Sequence, residues 1–212
     1  MGLLFLVARP KSAEVDQSRA YGPCMSADFA AIEIVRGDLV IRQWQEADAD
    51  QLAQVVTDNL DHLRPFMPWV AQEPLSADDR RARIAQWTTD AASGGDDVCG
   101  VFLDGVIVGG AGLHRRIGPG GLEIGYWVRK EYVRRGIATI AARLLTDAAF
   151  ERPDIDRVEI HHDEANVASS GVPKALGYTL IGAEPRPVEA PAETGVHLIW
   201  RVTRAEWVRS GP

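Results

Sequence analysis

The dipeptide Asp104-Gly105 stands between the apolar runs Val101-Phe102-Leu103 and Val106-Ile107-Val108. A two-residue turn matches the twist of paired strands only when both central residues take positive φ, which Asp and Gly tolerate. The chain is therefore committed to an antiparallel hairpin near its middle. A second turn at Ile117 to Gly121 leads into a third strand, Leu122 to Val128. Helical signals lie on both sides of this nucleus. Acids cluster from Glu46 to Asp50 where a helix begins, as the helix dipole favours. Ser76 and Asp79 make a capping box for a helix reaching about Ala92. Pro65 and Pro68 break the segment between these two helices. Ile137 to Phe150 carries Ala and Leu at helical spacing, and Val158 and Ile160 alternate in a strand. A short helix near Ala168 to Leu176 leads through Gly177 to the strand Tyr178 to Gly182, and after a proline-rich loop His197 to Val202 closes the sheet. The order is β-α-α-β-β-β-α-β-α-β-β, an α+β (mixed α/β) domain with no repeat and no split after residue 37.

Residues 1 to about 30 are polar and irregular, which sets an N-terminal extension over 1–36 against a domain over 37–212. Met25 is a candidate start, a hypothesis that terminal sequencing of the native protein would decide. The leading apolar run is six residues long, with no basic residue before it and no small-residue cleavage site, so it does not read as a signal peptide; Leu6 stands where myristoylation needs Ser or Thr. No apolar run approaches membrane-spanning length. With 23 basic against 30 acidic side chains the net charge is −7, which argues against nucleic acid or an anionic membrane as partner. Cys24 and Cys99 are far apart and in no metal-ligand spacing, so neither a metal nor a disulfide framework is expected. A cytoplasmic location fits this usage.

The stretch Val133-Arg-Arg-Gly-Ile-Ala-Thr139 lies between a strand and a helix. Successive backbone N–H groups converge at such a helix start, and Gly136 lets a phosphate approach because it has no Cβ. Arg134 and Arg135 add charge. Taken alone, this stretch fits a solvated turn as well as a polyphosphate cradle. No G-x-x-x-x-G-K-[ST] loop is present, and Gly109 to Gly112 runs into a turn instead of opening a helix, so it reads as a strand where backbones approach closely.

Four blocks in order resemble the GNAT acyltransferases, in the branch of ribosomal-protein N-acetyltransferases of RimJ/RimL type. These are LRPFMPWV, LEIGYWVRKEYVRRGIAT, NVASSGVPKALGY and HLIWRVTRAEW, with coverage from about Leu39 to Trp207. The resemblance implies a GNAT fold: a twisted, mostly antiparallel sheet of about seven strands flanked by helices and splayed at the acyl-CoA site. It also implies transfer of an acyl group, from acetyl-CoA or succinyl-CoA, to a primary amine on a protein N-terminus, a lysine or a small molecule. Acyl-CoA would be held by the backbone of Tyr126, Trp127 and Val128, by the loop Arg134, Arg135, Gly136, Ile137, Ala138 and Thr139, and by Asn166. Self-association is left open, and a non-catalytic acyl-CoA sensor is the reading from another class.

An ammonium must lose a proton before it attacks a thioester, and Glu123 matches the position of a carboxylate facing the acyl group. Its alternative is an edge glutamate. Ser169 matches the serine set near the thiol, and its alternative is a helix cap. Pro173 stands where many relatives place a tyrosine acid, so the helix there is expected to be short or kinked. His161 and His162 are adjacent on a strand and must face opposite sides, one toward solvent and one inward. His114, Arg115 and Arg116 read as turn charges that could instead pair with a carboxylate on the donor.

Overall fold

The computed structural model describes residues 31–209, so the expectations on the extension and on Met25 lie outside the described residues. Eight strands form one sheet among these residues: β1 (Glu33–Arg36), β2 (Leu39–Gln43), β3 (Asp97–Leu103), β4 (Val106–His114), β5 (Gly121–Val128), β6 (Arg157–Asp163), β7 (Thr179–Pro185) and β8 (Val196–Thr203). The spatial order is β1-β2-β3-β4-β5-β6-β8-β7. Every neighbouring pair is antiparallel except β5 and β6. The expectation of about seven strands missed β1. That strand pairs with β2 across the tight turn at Gly37 and brings residues 33–36, assigned above to the extension, into the sheet.

The hairpin forms as Asp104-Gly105 requires, with φ of 50° and 74° at the two turn residues. Helices α1 (Ala49–Thr57), α2 (Leu60–Leu63) and α3 (Ala77–Ala92) follow β2, and α3 is capped by Ser76, whose Oγ accepts from the Asp79 N–H at 3.1 Å. Helix α4 (Ile137–Glu151) makes the crossover that a parallel β5–β6 pair demands. Helices α5 (Val167–Ala175) and α6 (Arg204–Arg209) complete the fold, and no described helix is long and apolar enough to cross a membrane.

Strand alternation feeds two apolar masses. Leu122, Ile124, Val158 and Ile160 pack against Ala141, Ala142 and Leu145 of α4. On the opposite face Phe102 and Ile107 pack with Trp44, Leu52, Val56 and Ile84. Odd-numbered residues of β5 and β6, among them Glu123, Glu159 and His161, therefore face the α1–α3 side, and Tyr126 and His162 face the α4 side.

Strands β5 and β6 pair only over Gly121↔Arg157, Leu122↔Val158 and Glu123↔Glu159. Beyond Glu123, β5 stays on β4 as far as Val128, and β6 stays on β8 as far as Asp163. The sheet is thus split from residue 124 onward, as the family resemblance implies. On the β4 side of this split the glycine run packs close. A Cβ on Gly109 would stand 2.2 Å from the Trp127 carbonyl oxygen, which is backbone and cannot swing aside. Replacing an ordinary strand glycine by alanine stabilises by about 0.4–1 kcal/mol through the unfolded chain. Overpacking costs about 1–3 kcal/mol and should win here. Gly109→Ala should therefore lower the unfolding free energy, measured by urea denaturation; an unchanged or raised midpoint would contradict the close approach.

Candidate active site

A cleft of ≈ 770 Å³ passes through the split and is lined from both faces of the sheet, with Glu123 and His161 on one side and Tyr126, Asn166 and Ser169 on the other. On the α1–α3 side Glu123 is buried, with 5 % of its surface exposed, which removes the reading as an exposed edge residue. Both of its oxygens are held by Arg116, with Nε to Oε2 at 2.8 Å and Nη2 to Oε1 at 2.5 Å. Arg116 is thus committed within the protein. His114 binds Asp96 at 2.7 Å, and Arg115 reaches Asp154 at 3.4 Å. Hydrogen bonding from His114, working against burial, holds the Asp96 carboxyl below its ordinary range.

Neither histidine of the pair faces solvent as an isolated side chain. His162 is buried; its Nδ1 lies 2.8 Å from the Asp163 carbonyl, while its Nε2 accepts from Trp200 Nε1 at 3.0 Å and lies 3.1 Å from Ser170 Oγ. Burial pushes its pKa down, which keeps a neutral ring in that network. His161 points the other way, to the cleft, between Glu123 and Glu159. Trp69 and Trp127 stack at a tilt with centroids 6.1 Å apart and wall the cleft beside them.

On the α4 side, Pro173 has no N–H, so the Ser169 carbonyl one turn earlier lacks its helical donor. Tyr126 Oη approaches that carbonyl at 3.2 Å and lies 2.9 Å from Ser169 Oγ. Helix α5 is short, nine residues, as expected, and the tyrosine missing at Pro173 is answered by a tyrosine from β5. Burial pushes the Tyr126 phenol up to about 12, so it stays protonated as a donor. The sequence points only to a backbone role for Tyr126. Asn166 caps α5, its Oδ1 accepting from the Ser169 N–H at 3.2 Å. That is the plain role of a turn asparagine, although the residue also lines the cleft.

At the end of β5 the Val128 carbonyl meets His62 Nε2 at 3.1 Å, and Asn59 Oδ1 accepts from the Lys130 N–H at 2.9 Å. The chain then turns through Val133 with Arg134 at φ 61° and Gly136 at φ 77°. A non-glycine residue in that region costs about 1–2 kcal/mol. The result is a turn whose amides run into the first turn of α4, with no side chain capping them. Space is open where a Cβ on Gly136 would stand, and Arg134, Arg135 and Gly136 are exposed while Ile137 anchors the turn in the core. Arg135 donates to the Glu131 carbonyl at 2.9 Å and lies 4.9 Å over the Tyr132 ring, so its charge is held at the edge of the turn. Ala138 and Thr139 are half-buried beside it.

The site thus combines a split parallel pair, an uncapped helix start at its foot and polar groups on both faces of the gap. The chain belongs to the acetyltransferase (GNAT) domain family, whose model matches residues 38–179. It is 33% identical over 146 residues to the "Putative ribosomal N-acetyltransferase YdaF" of Bacillus subtilis (strain 168), covering 68% of this chain and 79% of that protein. A crystal structure described as "Probable acetyltransferase" is 27% identical with a TM-score of 0.76, covering 83% of this chain and 99% of the other. The structure of RimL, a ribosomal L7/L12 alpha-N-protein acetyltransferase in complex with coenzyme A, shares the fold at a TM-score of 0.73 and 22% identity, over 80% of this chain and 96% of that one.

The loop geometry makes a specific demand on affinity. Gly136→Val forces a branched residue into the left-handed region, at about 1–2 kcal/mol. The added side chain also fills the open space beside the turn amides, so coenzyme A binding followed by titration calorimetry should weaken about tenfold if a phosphate rests there. Arg135→Glu should weaken it too, by adding repulsion at the phosphates. Unchanged affinity in both variants would mean that the turn only decorates the surface.

Proposed function

We propose that this GNAT acetyltransferase moves an acetyl group from acetyl-CoA to the free N-terminal amine of a protein, by direct attack within a ternary complex. The observation that carries the reading is the arrangement across the split. Glu123 lies on the α1–α3 face and the Ser169–Tyr126 pair on the α4 face, and one cleft joins them. A thioester lying in the gap then has the amine approaching on one side and its sulfur leaving on the other.

The pyrophosphate would rest on the amides from Arg134 to Thr139, with Gly136 giving clearance and the dipole of α4 favouring the charge. Pantetheine would lie along the unpaired edge of β5 at Tyr126, Trp127 and Val128, as an added strand lies on an open edge. An N–H there would polarise the thioester carbonyl. Glu123 is the carboxylate that meets the ammonium, and the proton leaves on its side of the gap. Ser169 Oγ, accepting from Tyr126, donates its own proton to the departing thiolate. Asn166 supports Ser169 by fixing the start of α5, and its side-chain nitrogen is turned to no partner among the described residues.

Acetyl is favoured over succinyl because the arginine best placed to read a donor carboxylate, Arg116, already grips Glu123 with both nitrogens. A protein N-terminus is favoured as acceptor by the names of RimL and YdaF, which concern ribosomal proteins.

Thiol release from acetyl-CoA with a peptide bearing a free N-terminal serine tests this directly. Turnover is expected, with succinyl-CoA markedly slower. Ser169→Ala combined with Tyr126→Phe should lower kcat by about 10²-fold or more while leaving coenzyme A affinity in place. Tight acyl-CoA binding with no thiol release for any amine would instead make the domain an acyl-CoA sensor.

A further inference from the structure

The imidazole of His161 is clamped between two carboxylates. Its Nε2 lies 2.6 Å from Glu159 Oε2, its Nδ1 lies 3.7 Å from Glu123 Oε2, and 9 % of the side chain is exposed. Each carboxylate is backed by arginine. Arg116 grips Glu123, and Arg201 holds Glu159 Oε1 through Nε at 2.7 Å and Nη2 at 2.6 Å, with Arg157 at 3.8 Å. A contact of 2.6 Å between a ring nitrogen and an ionised carboxylate needs a proton on the nitrogen, because the carboxylate only accepts. Glu159 is the ionised partner: burial alone would raise its carboxyl, but hydrogen bonds from His161 and Arg201 outweigh that and hold it below the usual range. The neutral ring therefore carries its proton on Nε2, and the bare nitrogen is Nδ1, on the side of Glu123 and the cleft. Glu123 Oε2 keeps a lone-pair site beyond the Arg116 contact and can accept one further donor.

We propose that His161 is the general base of the transfer: Nδ1 takes the proton of the incoming ammonium while Glu123 holds that ammonium in place and Glu159 orients the ring and balances the imidazolium. This deepens the acyl-transfer reading above and rests on it. An ammonium nitrogen can donate to Nδ1 and to Glu123 Oε2 together, since the two acceptors are 3.7 Å apart. Once Nδ1 has taken one proton, the nitrogen lone pair attacks the thioester carbonyl, the C–N bond forms and the C–S bond breaks. The amine loses two protons in all. One leaves His161 for solvent, and the other replaces the proton that Ser169 gave to the coenzyme A sulfur. Glu159 does not become protonated, so its part is that of an orienting anion.

The groups facing the ring come from several elements. Glu159 shares its strand, Glu123 comes from β5, and Arg116 lies in the β4–β5 turn. Arg201 approaches from β8 behind Glu159. Farther round the cleft His114 is tied to Asp96, and Asp163 accepts from the Thr194 and Gly195 amides at 2.9 Å. His197, Arg186, Glu189 and Glu193 complete that rim.

The test is the pH dependence of thiol release from acetyl-CoA, from about pH 6 to about 10, with two acceptors: the N-terminal serine peptide and a hydrazide whose terminal nitrogen is unprotonated at neutral pH. His161→Gln should lower kcat/KM for the peptide by about 10²–10⁴-fold at neutral pH, leaving coenzyme A affinity unchanged. The deficit should shrink as pH rises and hydroxide frees the amine, and it should be small throughout with the hydrazide. Glu159→Gln, which leaves the ring in place, should move the profile the same way by a smaller factor, and it carries the test if His161→Gln does not fold. Equal losses at every pH and with both acceptors would make His161 a packing residue and overturn the proposal, as would no loss at all. If the wild-type protein releases thiol with neither acceptor, the acyl-transfer reading fails as well; if it turns over and the variants match it, only the role of His161 falls.

Discussion

The structure depends on where the one parallel strand pair stops. β5 and β6 are joined at Glu123↔Glu159 and then part, β5 following β4 and β6 following β8. An unpaired strand edge buried in a protein is costly unless something satisfies its N–H and C=O groups. Here the exposed edge is a ready template for an amide-bearing ligand, and coenzyme A has amides in its pantetheine arm. The split also fixes the chemistry by alternation. Residues of one parity on β5 and β6 reach one face, and residues of the other parity reach the other. In the proposed transfer, proton removal and proton donation are thereby separated by the thickness of the sheet.

Each half of the site is stabilised by a different device. On the α1–α3 face, buried carboxylates are matched by arginines and a histidine, because an unpaired buried charge would be far more costly than the pairing recovers. On the α4 face, the carbonyl that Pro173 leaves without a donor is met by Tyr126, which also fixes Ser169. A residue that weakens a helix thus orders a polar pair at the cleft. The foot of the split holds strain of another kind, with Arg134 in the left-handed region to turn the chain from β5 into α4, beside Gly136, which takes that region freely.

Much of this was legible in the sequence because it is local. Asp104-Gly105 fixed a hairpin, Ser76 with Asp79 fixed a helix start, and Gly136 ahead of an alanine-rich helix fixed the loop. β1 escaped because Glu33-Ile-Val-Arg36 is a short, mostly exposed edge strand, and it follows thirty residues without period. The pairings of the site escaped for a different reason. Glu159 and His161 share a face by simple alternation, but their meeting with Glu123 depends on the register of a parallel pair separated by a whole helix. Arg116 was read as turn charge because nothing local shows that it folds back onto Glu123. Tyr126 was read for its backbone, and only the packing of α5 shows its hydroxyl against Ser169.

Amide hydrogen exchange with and without acetyl-CoA tests the central claim most directly, because it reads the backbone that the split leaves open. New protection is expected in two places: the β5 amides from Tyr126 to Val128, and the loop and helix start from Arg134 to Thr139. Protection confined to other surfaces, or none in the β5 segment at saturating acetyl-CoA, would contradict a donor lying in the gap between β5 and β6.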